Sequence, residues 1–498
     1  MSSNLQSGMA RAIVNVTDLS QIGDKGLGPV TAVIGVTERG PLLTPTLIRN
    51  WPEYERTFGR ILTDYDFPLL CKRALDGGAT LLICRVFSVE STTDAEASVT
   101  KTFTGKSILF RANSPGEWGN SLTITKTSAR SGDTSKCDLV IFYALQPNLG
   151  YTYFDFPVEP VQADVDAFNR SSPLLRIEDW DTAITLGSID DPLEDGVIDL
   201  SDLAFSSVEA QLPSFAPFTF ERLAMFENYG SQYNEAAYYD FLENQDAMFV
   251  YPALKEDDAL TAIALRNCAG PFDANTPIDD YRVRLLFGGI KITHPVTGLP
   301  HTLSVIGDWV GIRSTTDVKE YPWISEAGQK RGRIKGSKGV YYNLYPAARR
   351  VEADELDRQG ISMTIDHPDF GTVLWGNSTL QRADTLLKHA NVAELLLYVK
   401  RRLKTIIDTE LCEPNDIQTW RAIHRAVVAE MEFIKTNRGL YGYTYAGDQD
   451  VDDVNDAVYN TPESIANGEY RFTLELQPTA ALKYVVADVV VTKTGVTA

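Results

Sequence analysis

The fold of this chain is decided by the stretch Val30-Thr-Ala-Val-Ile-Gly-Val-Thr-Glu-Arg-Gly-Pro41, which leads into Thr44-Pro-Thr-Leu-Ile-Arg-Asn-Trp-Pro-Glu-Tyr-Glu-Arg-Thr-Phe-Gly59. Residues 30–36 are almost continuously apolar, which is typical of a strand buried on both faces. Gly40-Pro41 ends that strand, and a second extended piece follows. Pro52 then lies in the first turn of a short helix, which ends at Phe58-Gly59.

A second helix and a second buried strand complete a β-α-β unit. Five apolar residues share one face and predict a helix from about Phe67 to Asp76, and Gly77-Gly78 ends it. The next segment, Thr80–Phe87, is a nearly all-apolar strand. We expect it to be covered on both faces, like residues 30–36.

The composition indicates a large folded protein with an acidic surface. The chain has 498 residues, a length that predicts roughly two to four domains. Its 46 basic and 67 acidic residues give a formal net charge of −21. A general nucleic-acid binder needs a basic surface to neutralise phosphates, so we expect no nucleic acid as a partner. A local basic patch is compatible with this balance.

The cysteines and the N-terminus indicate a reducing compartment. The odd number and wide spacing of the cysteines argue against a disulfide framework and a zinc site, and predict buried free thiols. They are Cys71, Cys84, Cys137, Cys268 and Cys412. Residues 1–8 lack the basic and apolar regions of a signal peptide, and no run approaches the roughly 18 apolar residues of a membrane helix. We expect a protein that starts in the cytoplasm and does not span a membrane.

The middle of the chain changes character twice. From 88 to 190, alternating runs such as Ser121–Lys126 and Asp138–Tyr143 predict strands separated by turns. Residues 191–330 are mixed, with a helix predicted at Ser231–Glu243 and a short strand at Ala247–Tyr251.

The C-terminal third is the most regular part. Thr379–Leu411 is rich in helix formers, although Leu395–Val399 also fits a strand. Asn415–Asn437 predicts an amphipathic helix, because apolar residues recur every three or four positions, with Asn415 as its N-cap. Glu469–Gln477 alternates as a strand.

Two strand-like pieces lie near the ends of the chain. Ala12–Val16 interrupts an otherwise irregular segment, residues 1–28, and Tyr484–Thr492 is apolar on both faces. A strand that is apolar on both faces, as Tyr484–Thr492 is, would promote aggregation if it were exposed. It is therefore either an internal strand of its own sheet or a strand donated to a neighbouring subunit, and the residues alone leave both open.

The search for chemical motifs is negative. The basic loop Gly328–Gly339 lacks the Gly-Lys placement of a phosphate-binding loop, so we expect a solvated loop, with a polyanion site as the alternative. The acidic run Asp448–Asp456 has oxygen ligands but lacks the glycine and glutamate of an EF-hand, which leaves only weak divalent binding open. No histidine pairs with another at helical metal spacing; the histidines are His294, His301, His367, His389 and His424. We predict no catalytic residue, no cofactor and no metal.

Six stretches, in the same order, resemble the contractile tail sheath family of phages and related injection machines. They are Gly35–Gly59, Gly77–Val86, Ser114–Leu122, Gly360-Ile361 with Gly371–Thr379, Val399–Arg402, and Asn460-Thr-Pro with Gly468, Leu474–Pro478 and the terminal strand. Asn377 and Ser378 depart from the family's usual Ala-Arg. The likeness covers most of residues 1–120 and 359–498 and is weak over 125–355.

The resemblance implies a mixed α/β, multidomain fold whose core is discontinuous. The expected segments are an extended N-terminal arm (1–28), a core (29–90 plus 372–483), a β-rich inserted domain (91–190), an α/β inserted domain (191–371) and a C-terminal strand (484–498). The strands at 30–36 and 80–87 would form half of the core, completed by residues after about 372.

The resemblance also implies a structural subunit and no enzyme. Subunits of this family polymerise as stacked hexameric rings around an inner tube, share β-strands through their terminal arms, and contract to drive the tube through a target cell envelope. The implied partners are copies of the chain itself, an inner tail tube protein, and baseplate and tail terminator proteins. The implied location is a virion tail assembled in the host cytoplasm, without membrane insertion.

Two sets of site residues follow from the resemblance. The strand-exchange residues are Ala12, Ile13, Val14, Asn15, Val16, Tyr484, Val485, Val486, Ala487, Asp488, Val489, Val490 and Val491. A candidate contact to the tube or to a neighbouring subunit consists of Lys400, Arg401, Arg402 and Lys404. Ion pairing within their own domain is the alternative for these four.

Two other functions stay open at this point. One is a hydrolase-type enzyme with a site in the middle domains, which would join a serine and a carboxylate to His294, His301 or His367. The other is a non-contractile virion or baseplate structural protein. The motifs fit a phage tail and a bacterial injection apparatus equally.

Overall fold

The computed structural model describes residues 29–86, 98–103, 106–158, 160–180, 191–193, 211–226, 245–269, 277–447 and 460–482. Helices and strands are interspersed along these residues, which confirms the mixed α/β class. Four sequence predictions lie outside the described residues: the strand Ala12–Val16, the helix Ser231–Glu243, the acidic loop Asp448–Asp456 and the strand Tyr484–Thr492.

The described strands and helices are numbered in chain order. The strands are β1 (Val30–Gly35), β2 (Thr46–Ile48), β3 (Thr80–Arg85), β4 (Ser98–Phe103), β5 (Lys106–Ala112), β6 (Leu122–Ser128), β7 (Lys136–Tyr143), β8 (Tyr151–Pro157), β9 (Leu175–Trp180), β10 (Asp191–Pro192), β11 (Arg222–Met225), β12 (Met248–Pro252), β13 (Val283–Phe287), β14 (Gly289–Thr293), β15 (Pro300–Ser304), β16 (Ile361–His367), β17 (Gly371–Trp375), β18 (Leu440–Ala446) and β19 (Thr473–Pro478). The helices are α1 (Trp51–Phe58), α2 (Phe67–Asp76), α3 (Gln162–Ser171), α4 (Ala259–Asn267), α5 (Ile306–Lys319), α6 (Arg350–Arg358), α7 (Ala390–Glu410), α8 (Ile417–Thr436) and α9 (Pro462–Ala466).

Eight strands form one large sheet in the spatial order β2–β3–β1–β11–β12–β13–β16–β17. The six inner strands run parallel, and β2 and β17 pair antiparallel at the two ends. Every residue of β1 and β3 is buried. This agrees with the prediction that both strands are covered on both faces.

The two edges of the large sheet differ. β2 has only three residues, so it exposes few unpaired backbone groups. Along β17 runs a segment that we call the strap, residues 328–340. Gly328 N donates to Leu374 O, and Ile334 N donates to Thr372 O, each at 2.9 Å. The strap therefore covers the outer edge of β17.

The expected separation of residues 191–371 as an inserted domain is wrong. β11, β12, β13 and β16 belong to the same sheet as β1 and β3, and β1 pairs directly with β11 from Thr31–Arg222 to Ile34–Met225. The sheet is therefore completed by residues 222–375 and not only by residues after 372. Parallel strands are joined by long crossovers, so neighbours in the sheet are distant in sequence and a change of composition marks no boundary.

The two faces of the sheet supply two apolar layers. On one face, Ala32 and Leu223 pack with Ala262 of α4 and Leu356 of α6. On the other face, the layer is built by α2, α5 and α7, and includes Val33, Ile83, Leu70, Trp309 and Leu397. The alternation of β1 side chains between the layers follows from the two-residue period of a strand.

Helices α2 and α5 lie very close together because glycines face the contact. A Cβ atom on Gly311 would lie 2.9 Å from the Cα of Gly77 and 3.1 Å from the carbonyl oxygen of Ala74. One turn earlier, a Cβ atom on Gly307 would lie 2.7 Å from the carbonyl oxygen of Leu70. Only glycine leaves room for this approach of two backbones.

Two smaller sheets, β4–β5–β9 and β10–β6–β7–β8, form a β-rich part of the chain. Its core, shared with α3, includes Trp118, Leu122, Ile141, Phe156 and Phe168. The strands predicted at Ser121–Lys126 and Asp138–Tyr143 correspond to β6 and β7.

The C-terminal part consists of α7 and α8 packed together and the hairpin β18–β19. The stretch Leu395–Val399 lies inside α7, so the strand alternative is wrong. The N-cap of α8 is Asp416, whose carboxylate accepts bonds from the backbone of Gln418 and Thr419. Asn415 was the expected cap, but its side-chain oxygen instead accepts a bond from Trp420 Nε1 at 2.8 Å.

A row of six buried charges ties the sheet to α5 and α7. Arg222 at the start of β11 is bidentate to Glu394 of α7 at 2.8 and 2.9 Å, and its Nη1 donates to Asp317 of α5 at 2.6 Å. Asp317 also accepts a bond from Arg313 Nε at 2.9 Å. Every side chain in this row is at most 4% exposed.

The row ends at the carboxylate of Glu326. Arg313 Nη1 donates to Glu326 Oε2 and Arg284 of β13 pairs with Oε1, both at 2.9 Å. Trp309 Nε1 donates to Oε1 at 2.8 Å. Burial alone would raise the pKa of Glu326, but Arg284 and Arg313 outweigh it and hold this pKa well below its usual range. The six residues therefore alternate in sign along the row: Glu394, Arg222, Asp317, Arg313, Glu326 and Arg284.

We predict that Gly311→Ala destabilises the protein. The new methyl group meets the backbone of α2, which does not rotate away, so we expect a loss of about 1–3 kcal/mol in the free energy of unfolding. Denaturant titration at pH 7 measures this loss.

A matched control is Val318→Ala on the same helix. Val318 is 65% exposed, so we expect a change within about 0.5 kcal/mol. Equal effects of the two substitutions would contradict the close approach of α2 and α5.

Acid should weaken the protein through Glu326. Because its pKa is lowered by folding, its charged form contributes stability above the ordinary value of 4.5, and this contribution is lost as pH falls further. We expect Glu326→Gln to cost about 3–5 kcal/mol at pH 7, because Arg284 and Arg313 lose a buried partner. Below pH 4.5 the difference between wild type and variant should narrow in a pH series of denaturant titrations.

The control for this series is Glu320→Gln. Glu320 pairs with Arg331 but is 40% exposed, so we expect a loss below about 1 kcal/mol. Burial raises the pKa of Asp257 to about 6, and its effect runs in the opposite direction, since that contribution is lost as pH rises through 6. Because Asp257 contributes equally to every variant, the test compares the free energy of unfolding of wild type and variant at each pH. Parallel curves of this free energy against pH for wild type and Glu326→Gln would contradict the prediction.

Candidate assembly site

The predicted exchange strands, Ala12–Val16 and Tyr484–Val491, lie outside the described residues. The structure does show the segment that leads into the second strand. β19 ends at Pro478, and Thr479 N donates to the carbonyl oxygen of Gly439, just before β18, at 3.0 Å. Leu482 is then 83% exposed. The described chain therefore ends at an exposed residue near the base of the hairpin.

The hairpin β18–β19 has two backbone edges that no other described strand occupies. Within the described residues, neither strand pairs with a third strand. One face packs on α8, where the ring of His424 lies 4.7 Å from that of Tyr445 in β18, and Trp420 stacks on Tyr470, just before β19, at 5.2 Å between ring centroids. A two-stranded hairpin is only marginally stable alone, so α8 supports it as a platform to which strands can be added.

Asn460, from the last of the family-like stretches, fixes the far end of the hairpin. Its side-chain amide donates to the carbonyl oxygens of Gly447 and Arg471 at 3.2 and 3.0 Å and accepts a bond from Arg471 N at 2.9 Å. Asn460 is 1% exposed. One buried side chain thus joins Gly447, just after β18, to Arg471, just before β19.

The basic stretch of α7 is largely paired within its own chain. Lys400 Nζ lies 2.5 Å from Asp246 Oδ1, and Arg401 Nη1 donates to the carbonyl oxygen of the same residue at 2.6 Å. Arg402 donates to Glu430 of α8 at 3.0 and 3.3 Å. Lys404 is exposed and has no ion pair among the described residues. The geometry of the first three therefore fits the intradomain alternative, and Lys404 stays available for a contact.

Three of the family-like stretches meet at one buried arginine. Arg85, at the end of β3, donates from Nη2 to the carbonyl oxygens of Glu38 at 3.3 Å and Pro115 at 2.7 Å, and from Nη1 to that of Gly40 at 3.2 Å. Burial lowers its pKa to about 10. One side chain therefore joins the large sheet to the loop between β5 and β6 of the β-rich part.

Two glycines make room for this junction. Gly116 has φ +132°, and a Cβ atom there would lie 3.0 Å from the carbonyl oxygen of Glu38. Gly40 has φ +111°, and its N–H donates to Ser114 Oγ at 3.2 Å. Trp118 covers the junction and donates from Nε1 to the carbonyl oxygen of Ser114 at 3.1 Å. The Gly-x-Trp-Gly-Asn and Arg-Gly-Pro motifs thus have a common structural cause.

Glu38 and Arg39 extend the junction to α1. Glu38 accepts bonds from the backbone and side chain of Arg60 at 2.6–2.9 Å. Arg39 Nη2 donates to the carbonyl oxygens of Glu55 and Arg56, each at 2.9 Å. Its guanidinium also lies over the ring of Tyr143 in the β-rich part. Glu38 and Arg39 therefore hold the end of α1 next to β1 of the large sheet and β7 of the β-rich part.

The fourth family-like stretch connects the large sheet to the C-terminal helices. Asn377 Nδ2 donates to Asn391 Oδ1 at 2.7 Å, and Ala390 N donates to the carbonyl oxygen of Asn377 at 3.1 Å. Asn391 Nδ2 in turn donates to the carbonyl oxygen of Thr479 at 2.9 Å. Asn377, which departs from the family's usual residue, thus links β17, α7 and the end of β19.

Sequence reasoning missed the buried arginines. Arg85, Arg222 and Arg284 each lie within, or at the end of, a nearly apolar strand. The signal in the sequence was an arginine in an otherwise apolar strand, because a buried charge requires a partner of opposite sign or several carbonyl groups.

The histidines named for a hydrolase have structural contacts. His301 Nε2 pairs with Asp66 Oδ1 at 2.7 Å, and His294 Nδ1 accepts bonds from the backbone of Val296 and Thr297. His367 stacks on Phe370 with ring centroids 3.5 Å apart. Burial and the neighbouring His301 lower the pKa of His294. In the described part of the chain, no hydrogen bond joins a serine to any of these three rings.

Three further observations concern metals, thiols and membranes. The described residues hold no cluster of three or more His, Cys, Asp or Glu side chains suited to a metal ion. Cys71, Cys84, Cys137 and Cys268 are buried free thiols, whereas Cys412 is exposed, contrary to expectation. Across the described ranges, every helix is too short or too polar for a bilayer crossing.

Comparison with known proteins gives one curated relative at the sequence level. No family model matches the chain. The tail sheath protein of Vibrio phage KVP40 is 26% identical over 189 residues, which are 38% of this chain and 26% of the phage protein. The match therefore spans about a quarter of the length of that relative.

Solved structures match over almost the whole chain. The sheath tail protein from Listeria innocua aligns over 92% of this chain and 97% of its own, with a TM-score of 0.61 and 13% identity. The contracted helical sheath of the anti-feeding prophage aligns over 98% of this chain and 99% of its own, with a TM-score of 0.55 and 12% identity. The contracted PVC sheath complex of an extracellular contractile injection system aligns over 98% of this chain and 98% of its own, with a TM-score of 0.53 and 11% identity. The resemblance that the motifs indicated is thus confirmed, and this chain has the fold of the contractile tail sheath family.

Proposed function

We propose that this chain is the structural subunit of a contractile sheath. It polymerises as stacked hexameric rings around an inner tube and contracts to drive that tube through a target cell envelope. The alignment with a helical sheath in its contracted state over 98% of this chain carries the proposal. His301 pairs with Asp66, His294 accepts bonds from neighbouring backbone and His367 stacks on Phe370, and these contacts favour a structural role over the hydrolase alternative.

The links between subunits are exchanged β-strands. The segments Ala12–Val16 and Tyr484–Val491 are the donated strands, and the hairpin β18–β19 is the acceptor. Two observations support this: the hairpin has two unpaired edges within the described residues, and the chain emerges from β19 only six residues before Tyr484. Strand addition gives each link a row of backbone hydrogen bonds.

Such links suit a polymer with two states. Backbone bonds between a donated strand and β18–β19 persist while the large sheets of neighbouring subunits move and dock again. The rigid junctions at Arg85 and at the buried charge row favour motion of each subunit as one body. A heterologous contact that does not close then propagates as a helix.

The remaining partners follow from this role. They are an inner tail tube protein, a baseplate and a tail terminator, in a virion tail or injection apparatus assembled in the producing cell. Lys404, the exposed member of the basic stretch on α7, is the residue of that stretch best placed to contact the tube or a neighbour.

Deleting residues 484–498 should abolish polymers and leave the fold intact, because the described core and hairpin end at residue 482. The full-length chain should form rings or tubes that negative-stain electron microscopy shows, and the truncated chain should sediment as a monomer. Deleting residues 494–498, which follow the strand, is the control and should retain polymers. Equal assembly of all three chains would refute strand exchange.

Helical reconstruction of the full-length polymers separates the rival structural role. A contractile sheath should give two helical states with different pitch and diameter, the compact one favoured after mild destabilisation. Polymers with a single state under all conditions would assign the chain to a non-contractile virion or baseplate part. A strictly monomeric full-length chain would contradict both.

A further inference from the structure

The strap carries positive charges that the described residues do not neutralise. Residues 327–351 contain seven basic residues and no acidic one, in a chain of net charge −21. Arg331 pairs with Glu320 at 2.5–2.6 Å. Four other cations of the strap are exposed and have no ion pair among the described residues: Lys330, Arg333, Lys335 and Lys338.

These cations are held on a fixed backbone. The first half of the strap pairs with β17, as described above. In the second half, Lys338 N donates to Lys291 O at 2.7 Å, and Lys291 N of β14 donates to Gly339 O at 2.8 Å. Arg73 Nη2 also donates to the carbonyl oxygen of Lys335 at 2.9 Å. Because the backbone is already ordered, docking would cost side-chain freedom only.

The opposite charge is concentrated at the turn between α7 and α8. Residues 405–419 contain no basic residue. Their four carboxylates have no ion pair in the part of the chain that the structure describes, and they are Asp408, Glu410, Glu413 and Asp416. Asp416 caps α8, and Asp408 and Glu413 are exposed.

Within one chain the two surfaces are far apart. α7 begins next to β17, where Ala390 N donates to the carbonyl oxygen of Asn377 at 3.1 Å, and the strap lies along the same strand. The other end of this 21-residue helix carries the acidic turn. A helix of this length spans about 30 Å, several times the reach of a lysine side chain.

We propose that the strap docks onto the α7–α8 turn of a second copy of this chain. The two surfaces are different and complementary, so the contact is head-to-tail and repeats from copy to copy. This inference rests on the proposed polymer and names a second, electrostatic contact in addition to strand exchange. The contact orients incoming subunits, and its strength falls as salt rises.

Reversing two strap charges tests the contact. The double substitution Lys335→Glu and Lys338→Glu should raise the critical concentration for polymer formation at least about tenfold at about 50 mM salt. The effect should shrink at about 0.5 M salt, where the contact is screened. Pelleting with electron microscopy gives the critical concentration, and thermal unfolding shows that the variant is folded.

A matched control reverses two exposed cations elsewhere, Lys136→Glu in β7 and Lys319→Glu in α5. It changes the net charge equally and should leave the critical concentration within about twofold. An equal effect of both double variants would reduce the result to net charge and overturn the proposal.

Charge exchange identifies the partner surface. Asp408→Lys with Glu413→Lys should weaken assembly in the wild-type background and restore it in the strap-reversed chain. Failure of this rescue would overturn the assignment to the α7–α8 turn.

Two further outcomes separate this proposal from its alternatives. Normal assembly of the strap-reversed chain, together with loss of binding to a short DNA duplex, would overturn the proposal in favour of a nucleic-acid partner. If the wild-type and strap-reversed chains polymerise equally, this contact is refuted and the sheath role stands. If the wild-type chain is monomeric, the sheath role is refuted as well.

Discussion

The buried row of alternating charges is the constraint on which the rest of the structure depends. It joins β11 and β13 of the sheet to α5 and, through Glu394, to α7. Well-packed apolar residues could give similar stability, so its value lies in alignment. Any sliding of α7 along the sheet separates buried charges from their partners. The C-terminal helices, and the hairpin that rests on α8, therefore keep one position relative to the sheet.

The fold could be predicted where contacts are local. The unit from β1 to β3 was predicted closely, because its apolar runs, Pro52 and Gly77-Gly78 all act over a few residues. The family-like stretches were also found, since each is a short pattern. The structural reason for these stretches could not be predicted, because Arg85 bonds to residues 30 and 45 positions away and no local pattern shows that they lie together.

The fold could not be predicted where partners are distant. β11 has four residues, and its parallel neighbours β1 and β12 lie beyond long crossovers, so the boundary at residue 191 was placed through a continuous sheet. Arg222 finds Glu394 across 172 positions. At the start of α8, two adjacent residues can both cap, and the demand of Trp420 Nε1 for an acceptor decides between Asn415 and Asp416. On the candidate site, only Lys404 of the basic stretch was left exposed and unpaired within the described residues, because its neighbours have partners that sequence does not show.

The unequal treatment of sheet edges has a consequence for the ends of a polymer. In the large sheet, one edge is covered by the strap and the other is three residues long, whereas β18–β19 has two open edges within the described residues. The proposed arms supply two strands per chain. Donors and acceptors are then equal in number, and every interior subunit is saturated. In the proposed polymer, only the subunits at the two ends would retain unmatched strands or edges, so the two ends would differ chemically from each other and from the wall.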